Sequence, residues 1–290
     1  MIKVKVIADS YYLDQYEDPH RVTTFELEYP RYILAELNTH RVFSRNSASS
    51  RAIPIEKMIE LVKTNPVTPR WTLNQRGMSG EEVTDAKVIA DASKEWDEAR
   101  KDMITRARRL IQLGIHKQNV NRLLEPFQHI KTILTGTDFE NFFNLRISPD
   151  AHPEIQELAY KMRTEMDDSV PVVLKENQAH CPYTDYAVNS SNMAIILKSV
   201  ALCAQVSYRK EDGTTETVKR VINKLLGSPN LHASPFEHIC IPDPEFTQGN
   251  LIGFTQLRHC IERWKKFGEK PEDINYYNHL ISLGKKLWSY

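Results

Sequence analysis

Alternating apolar and polar positions over 2–8 (IKVKVIA) and 22–28 (VTTFELE) predict two strands joined by a polar, aromatic-rich connection. Pro30 stands where a first helical turn tolerates proline, so RYILAELNTHR, 31–41, is expected as a helix. The next stretch, 42–52, carries too much Ser and Asn for a stable amphipathic helix. IPIEKMIELVKT opens another helix, and 65–80, with two prolines and two glycines, reads as a loop. A long helix is expected over 81–113, ending at Gly114, with its charges on a solvated face. A further helix is expected from Lys117 through NVNRLLEPFQHIKTIL. Helical spacing returns at 153–167, 191–209, 214–226, 250–266 and 272–286, and FEHICIP, 236–242, is a third strand candidate. The fold class is therefore α+β, helix-rich with a small, mostly antiparallel sheet. One domain over 1–290 is expected, with 65–115 as a loop-and-helix insertion and 267–290 as a helical tail; 181–190 is a weak candidate boundary.

Composition narrows this only a little. Thirty-eight basic residues balance 38 acidic ones, with 41% hydrophobic and 26% charged residues. That excludes a disordered chain and argues against a protein held on nucleic acid by bulk charge, while leaving a local basic cleft open. The four cysteines, Cys181, Cys203, Cys240 and Cys260, form no CxxC pair, which fits a reducing compartment and no cysteine-rich metal site. With no signal-like N-terminus and no apolar run of membrane length, a cytoplasmic protein with no membrane partner is expected.

The densest chemistry lies in HRVFSRNSASSR, 40–51, with three arginines, four serines and an asparagine. Arginine forks and hydroxyls can wrap an anion, although a polar loop that caps helices has the same composition, and this segment alone favours the loop. Arg122 and Arg146 each sit in apolar surroundings, where an arginine needs a partner. Glu125 or Glu140 would serve structurally; a phosphate or a base carbonyl would serve functionally. In LHASPFEH, 231–238, the six-residue gap between His232 and His238 matches no common zinc spacing, so no metal is expected. His238 reads as structural and His232 as a ligand contact. The pairs His180–Cys181 and His259–Cys260 read as packing residues. No GxGxxG, Walker or GxSxG motif is present.

Three segments together resemble the flavin-dependent thymidylate synthases. The run Thr39-His40-Arg41, then Ser44, Asn46, Ser49 and Arg51, is similar to the family's central motif. NRLLEPF and NFFNLRISPDAHPEIQELA are similar to its block with two substrate arginines. CAQVSYR followed by HASPFEH resembles a segment that the family places near its N-terminus; here it comes last, as in a rearranged, bacteriophage-type member. The resemblance implies FAD-dependent reductive methylation of dUMP to dTMP, with methylenetetrahydrofolate and NADPH as co-substrates and a homotetramer as the assembly. It implies catalytic roles for Arg146 and Ser49, and substrate contacts from Glu36, Ser49, Ser50, Arg51, Arg122 and Arg146. Cofactor contacts are implied for His40, Arg41, Ser44, Asn46, Asn141, Ser207, His232, Ser234 and Glu237. It also implies that 236–242 pairs near 22–28.

This chain departs from the family pattern at Thr39 and Glu36, where Arg and Gln are usual, and at Ser47, Ala52 and Asp150. Those differences keep other readings in play: methyl or hydroxymethyl transfer to another pyrimidine nucleotide such as dCMP, or a non-catalytic nucleotide-binding or nucleic-acid-binding homologue. A helical structural protein with internally paired arginines would leave the serine-rich segment unexplained.

Overall fold

A computed structural model describes the chain except for residues 78, 185–186, 208–212, 248, 273–274 and 290. In chain order the strands are β1 (Lys3–Leu13), β2 (Pro19–Pro30), β3 (Ser44–Ser47), β4 (His129–Gly136), β5 (Val172–Val173), β6 (Gln178–His180), β7 (Ala187–Asn189), β8 (Cys240–Pro242) and β9 (Phe254–Gln256). The helices are α1 (Leu34–Leu37), α2 (Ile55–Thr64), α3 (Ala86–Gln112), α4 (Lys117–Val120), α5 (Glu140–Arg146), α6 (Pro153–Asp167), α7 (Met193–Ala204), α8 (Thr215–Gly227), α9 (Leu257–Phe267) and α10 (Tyr276–Leu283). One sheet has the order β3-β4-β2-β1-β5 and the other β7-β6-β8-β9. The helix-rich α+β expectation holds, and the strands pair antiparallel except for β1 with β5.

The strong alternation of β1 and β2 decides the first sheet. Phe25, Leu27 and Tyr29 point to one face and are fully buried. Against them lies α6, whose Ile155, Leu158, Ala159 and Met162 recur at helical spacing. Two buried phenylalanines of α5, Phe142 and Phe143, close the same core, which fixes Arg146 at the end of that helix. The long helix α3 is N-capped by Asp85 and buries only Ile104 and Ala107, so most of it is the solvated face expected of its charges. It shares an apolar cluster with Met58, Ile59 and Val62 of α2 and with Leu124 and Phe127.

Several expectations need correction. The helix expected from Lys117 stops after one turn at Val120 and continues as a 3-10 helix, Asn121–Phe127; His129–Gly136 is then a central strand. Pro126 lacks the N–H a helix needs, and the β-branched Ile130, Thr132, Ile133 and Thr135 suit a strand covered on both faces. The helix expected at 31–41 is a 3-10 turn, Arg31–Ile33, followed by the single turn α1. Strand β3 lies inside the polar segment, as an edge strand paired only with β4. The 250–266 helix begins only at Leu257, after β9. The 191–209 helix ends at Ala204; of the CAQVSYR motif, Tyr208 and Arg209 lie outside the described residues.

The strand expected at 236–242 splits into a 3-10 turn, Ser234–His238, and the short β8. It does not pair with 22–28, because both edges of β2 are taken by β1 and β4; β8 pairs with β6 and β9 instead. The two sheets nonetheless meet through a buried chain of hydrogen bonds. His180 contacts Ser10 through Nδ1 at 2.9 Å and Thr24 through Nε2 at 2.8 Å. Thr24 meets Thr135 at 2.8 Å, and Thr135 meets Nδ1 of His238 at 2.8 Å. The structural reading of His238 is thus supported.

Both imidazoles are fully buried, and burial lowers His180 to about 4 and His238 to about 3. They stay neutral in the fold, whereas in the unfolded chain they take protons near pH 6.5. Their contribution is therefore complete above about pH 6.5 and is lost as pH falls from there toward 4. We expect unfolding free energy to drop by roughly 2–3 kcal/mol per histidine between pH 7 and 4.5. Urea titrations of the protein and of His180→Gln at both pH values test this: an equal drop in the two would refute the assignment.

Candidate active site

The segment from α1 through β3 to Arg51 runs past three groups of polar side chains. At its start, Arg146 donates from Nε to Nε2 of His40 at 2.9 Å and from Nη2 to Thr39 Oγ1 at 3.2 Å. Glu36 lies 3.8 Å from Arg146 Nη1. Hence Glu36, and not Glu140, is the carboxylate nearest this guanidinium. The His40 ring packs edge-on against Phe142 at 4.9 Å. Burial, then the charges of Arg146 and Arg45, depress its pKa, so it is a neutral acceptor for the Arg146 N–H. Arg45 braces the turn by donating to the carbonyls of Leu37 and His40 at 3.0 and 2.9 Å.

In the middle, β3 is tied to the second sheet. The Ser44 side chain is fully buried and meets Gln256 at 2.8 Å and Asn250 at 3.3 Å. Asn46 donates to the Cys203 carbonyl at 2.8 Å, and the Ser49 N–H donates to Ser207 Oγ at 3.0 Å. The Glu237 backbone carbonyl accepts from Gln256 at 2.9 Å, while its carboxylate pairs with Arg258. The far-separated segments around 44–49, 203–207 and 234–238 therefore do meet.

The third group surrounds Glu125. It pairs with Arg122 at 2.7 Å and with Arg31 at 2.9 Å, and Ser50 Oγ approaches it at 3.5 Å. Arg122 thus has the structural partner foreseen for it. Asn121, fully buried, donates to the carbonyls of Ser50 at 2.6 Å and Ile53 at 3.2 Å, fixing the turn after Ser50.

Arg41 and Arg51 are exposed cations with no ion pair among the described residues. Asn141 and His232 are also exposed, and Ser234 is half-buried; none of the three has a side-chain bond to the groups above among the described residues. A cleft of about 350 Å³ opens between α2 and the sheet, with Glu26, Glu28, Lys57, Lys131, Phe127 and Ser207 among its walls. Ser207 alone of the sequence-predicted residues lines it.

Sequence reasoning missed Thr39 as a partner of Arg146, and Gln256 and Arg258, which hold the 234–238 turn. No spacing rule links these positions; only the fold brings them together. All four cysteines are buried and free. Burial pushes the Cys260 thiol up to about 11 and raises that of Cys181, which agrees with packing roles and not with nucleophiles. No helix among the described residues is long and apolar enough to cross a membrane.

Comparison with known proteins adds the following. A flavin-dependent thymidylate synthase of Pyrococcus furiosus is 26% identical over 160 residues, 53% of this chain and 59% of that protein. The chain thus spans about three fifths of that relative's length. A UMP/dUMP methylase from Streptomyces cacaoi, solved with 5-Br UMP, shares 17% identity at a TM-score of 0.44, covering 57% of this chain and 87% of that one. The model of the family described as thymidylate synthase complementing protein matches residues 19–172, from β2 to β5, more than half of the sequence. That match takes in Arg146, His40 and the whole serine-rich segment, and the chain belongs to this family, the flavin-dependent thymidylate synthases.

Proposed function

We propose that the protein catalyses FAD-dependent reductive methylation of dUMP to dTMP, taking the carbon from methylenetetrahydrofolate and reducing power from NADPH. The observation that carries this reading is the Arg146 guanidinium, held at the end of α5 by neutral His40 and by Thr39, with Glu36 at 3.8 Å as its one carboxylate neighbour among the described residues. A guanidinium so placed can hold a pyrimidine carbonyl and stabilise negative charge that develops on the ring. The site suits an anionic cofactor and substrate: Arg41 and Arg51 are exposed cations, and Ser49 and Ser50 precede Arg51 in the chain, with the Ser50 hydroxyl 3.5 Å from Glu125. Arg51, Ser49, Ser50 and Arg122 would take the nucleotide phosphate. Arg41, His40, Asn46, Ser207 and the 232–237 turn would border the flavin, with Ser44 and Glu237 bracing that wall.

When bound, the flavin supplies the hydride that reduces the transferred carbon. The outward positions of Arg41, Asn141 and His232 suit a homotetramer in which copies of the chain share a site. Glu36 favours a second reading. A carboxylate 3.8 Å from Arg146 is an acceptor that an amino-bearing ring such as that of dCMP could use.

The purified protein is expected to be yellow, or to become so on adding FAD, and its flavin absorbance should shift when dUMP is added. A colourless protein that never takes up FAD would rule the reading out. If dCMP perturbs the spectrum and dUMP does not, the second reading replaces the first.

A further inference from the structure

The cleft between α2 and the first sheet, about 350 Å³ in volume, touches the roles above only through Ser207. That volume lies within the range of small-molecule sites, roughly 300–1,000 Å³. Its two sides differ in character. Met58, Leu61 and Val62 of α2, with Phe127, make one side apolar; Leu61 is 43% exposed and the other three are almost fully buried. The sheet supplies Glu26 and Glu28, which share a face of β2. Glu26 accepts from the Tyr183 hydroxyl. The Glu28 side chain is 17% exposed, and its Oε2 lies 3.4 Å from Lys3 Nζ and 3.9 Å from Lys131 Nζ. Its Oε1 accepts no hydrogen bond among the described residues. An ionised carboxylate has about four acceptor sites, and two long contacts to exposed lysines leave most of them open. An apolar wall with an under-used, largely buried carboxylate suits a flat ring that carries N–H donors along one edge.

We propose that this cleft binds the 2-amino-4-oxopyrimidine edge of a pterin or a guanine, with Glu28 accepting from the ring N–H and the amino group. The donor pattern decides the choice of ring. Two parallel N–H groups side by side match the two oxygens of a carboxylate. Uracil and the flavin ring each place a single N–H between two carbonyls, whose oxygens would face the carboxylate. Adenine and cytosine place their amino group beside a ring nitrogen that is itself an acceptor. Among the rings of the proposed reaction, only the pterin of the folate offers the pair; guanine offers the same pair outside that reaction. For the pterin, the inference rests on the function proposed above and gives its carbon donor a site. For guanine, it stands apart from that function.

Lys57 suits the remainder of either ligand. It lines the same cleft, is exposed and has no ion pair among the described residues. It can therefore hold the glutamate carboxylate of a folate or the phosphate of a guanine nucleotide. Ala48 and Ser207 also line the cleft, and Ser207 accepts from the Ser49 N–H at 3.0 Å. The cleft thus borders the segment assigned to nucleotide and flavin.

The test is calorimetric titration of 5-formyltetrahydrofolate, guanosine monophosphate and adenosine monophosphate into the full chain, with FAD and dUMP titrated separately. The folate or the guanine nucleotide should bind, and adenosine monophosphate should not. Glu28→Gln, which turns one acceptor oxygen into an amino donor, should weaken that binding roughly 10- to 100-fold. Leu61→Trp, which fills the mouth of the cleft, should weaken it too. Both variants should take up FAD and dUMP as the unaltered protein does. A loss seen with 5-formyltetrahydrofolate identifies the pterin as occupant; a loss seen only with guanosine monophosphate identifies guanine. If neither ligand binds, or if both variants bind as tightly as the unaltered protein, the inference fails. Equal binding of adenosine monophosphate also overturns it, since adenine lacks the donor pair. In each of those cases, uptake of FAD and dUMP leaves the proposed function standing. A chain that takes up no FAD loses that function, while guanosine monophosphate binding that Glu28→Gln weakens keeps the cleft's assignment.

Discussion

Arg146→Ala is expected to lower kcat/KM for the proposed nucleotide methylation by about two to three orders of magnitude, the range seen when a positioned donor to developing charge is removed. The expectation follows from how the side chain is held. Nε is committed to His40 and one Nη2 hydrogen to Thr39, so the fork is fixed in direction. Glu36, at 3.8 Å, is too distant for a bidentate pair that would consume it. Lysine cannot replace this geometry: one ammonium cannot reach His40 and Thr39 and also present a planar pair of donors. Arg146→Lys should therefore lose nearly as much as Arg146→Ala. The loss should reside in kcat/KM and not in folding, since the side chain is partly exposed and the unfolding free energy from urea titration should change by less than about 1 kcal/mol. His40 offers an independent check. Arg146 is one cause of its depressed pKa, so the imidazole should titrate at higher pH in Arg146→Ala. Retention of kcat/KM within about threefold would remove Arg146 from the chemistry.

The parts of this arrangement that could be read in advance are those where chemistry or periodicity is concentrated in sequence. Strands β1 and β2 announced themselves because one face of each is buried and the residues alternate. The serine- and arginine-rich segment was visible because its composition suits no packed helix. Strand β4 was not, because a strand covered on both faces loses its alternation, and the leucines of NVNRLLEPF recur at helix-like spacing just before it. Pro126 was the available warning. Strand β3 shows no apolar pattern at all; its place comes from pairing with β4 and from Ser44 and Asn46 reaching partners more than 150 residues away. The bond from the Tyr32 hydroxyl to the buried Glu154 carboxylate was equally invisible, since nothing in one dimension brings position 32 to 154. Arg122 shows the opposite case. Its apolar neighbours pointed to a partner, either a nearby carboxylate or a ligand, and the structure supplies Glu125, three residues away and named in advance.

The same logic of partners yields the largest expected effect on stability, at a position the functional motifs do not touch. Arg21→Ala should destabilise the fold by about 3–5 kcal/mol. Asp9, on β1, is fully buried, and its two oxygens accept from Arg21 Nε at 3.0 Å and Nη2 at 2.6 Å. Thr23 donates to the same carboxylate at 2.9 Å, and Arg21 also reaches the Met166 carbonyl at 2.7 Å, joining β2 to the end of α6. Removing the guanidinium leaves a buried carboxylate with a single neutral donor and frees the carbonyl on α6. The cost is the desolvation of that charge more than the worth of the pair. A double-mutant cycle separates these terms. In Asp9→Ala/Arg21→Ala the destabilisation should fall well short of the sum of the single substitutions, because no charge is left stranded. Urea unfolding of the three variants at pH 7 measures this. Additive losses would show that Arg21 acts only by packing its stem across the strands, and that Asp9 needs no counter-charge.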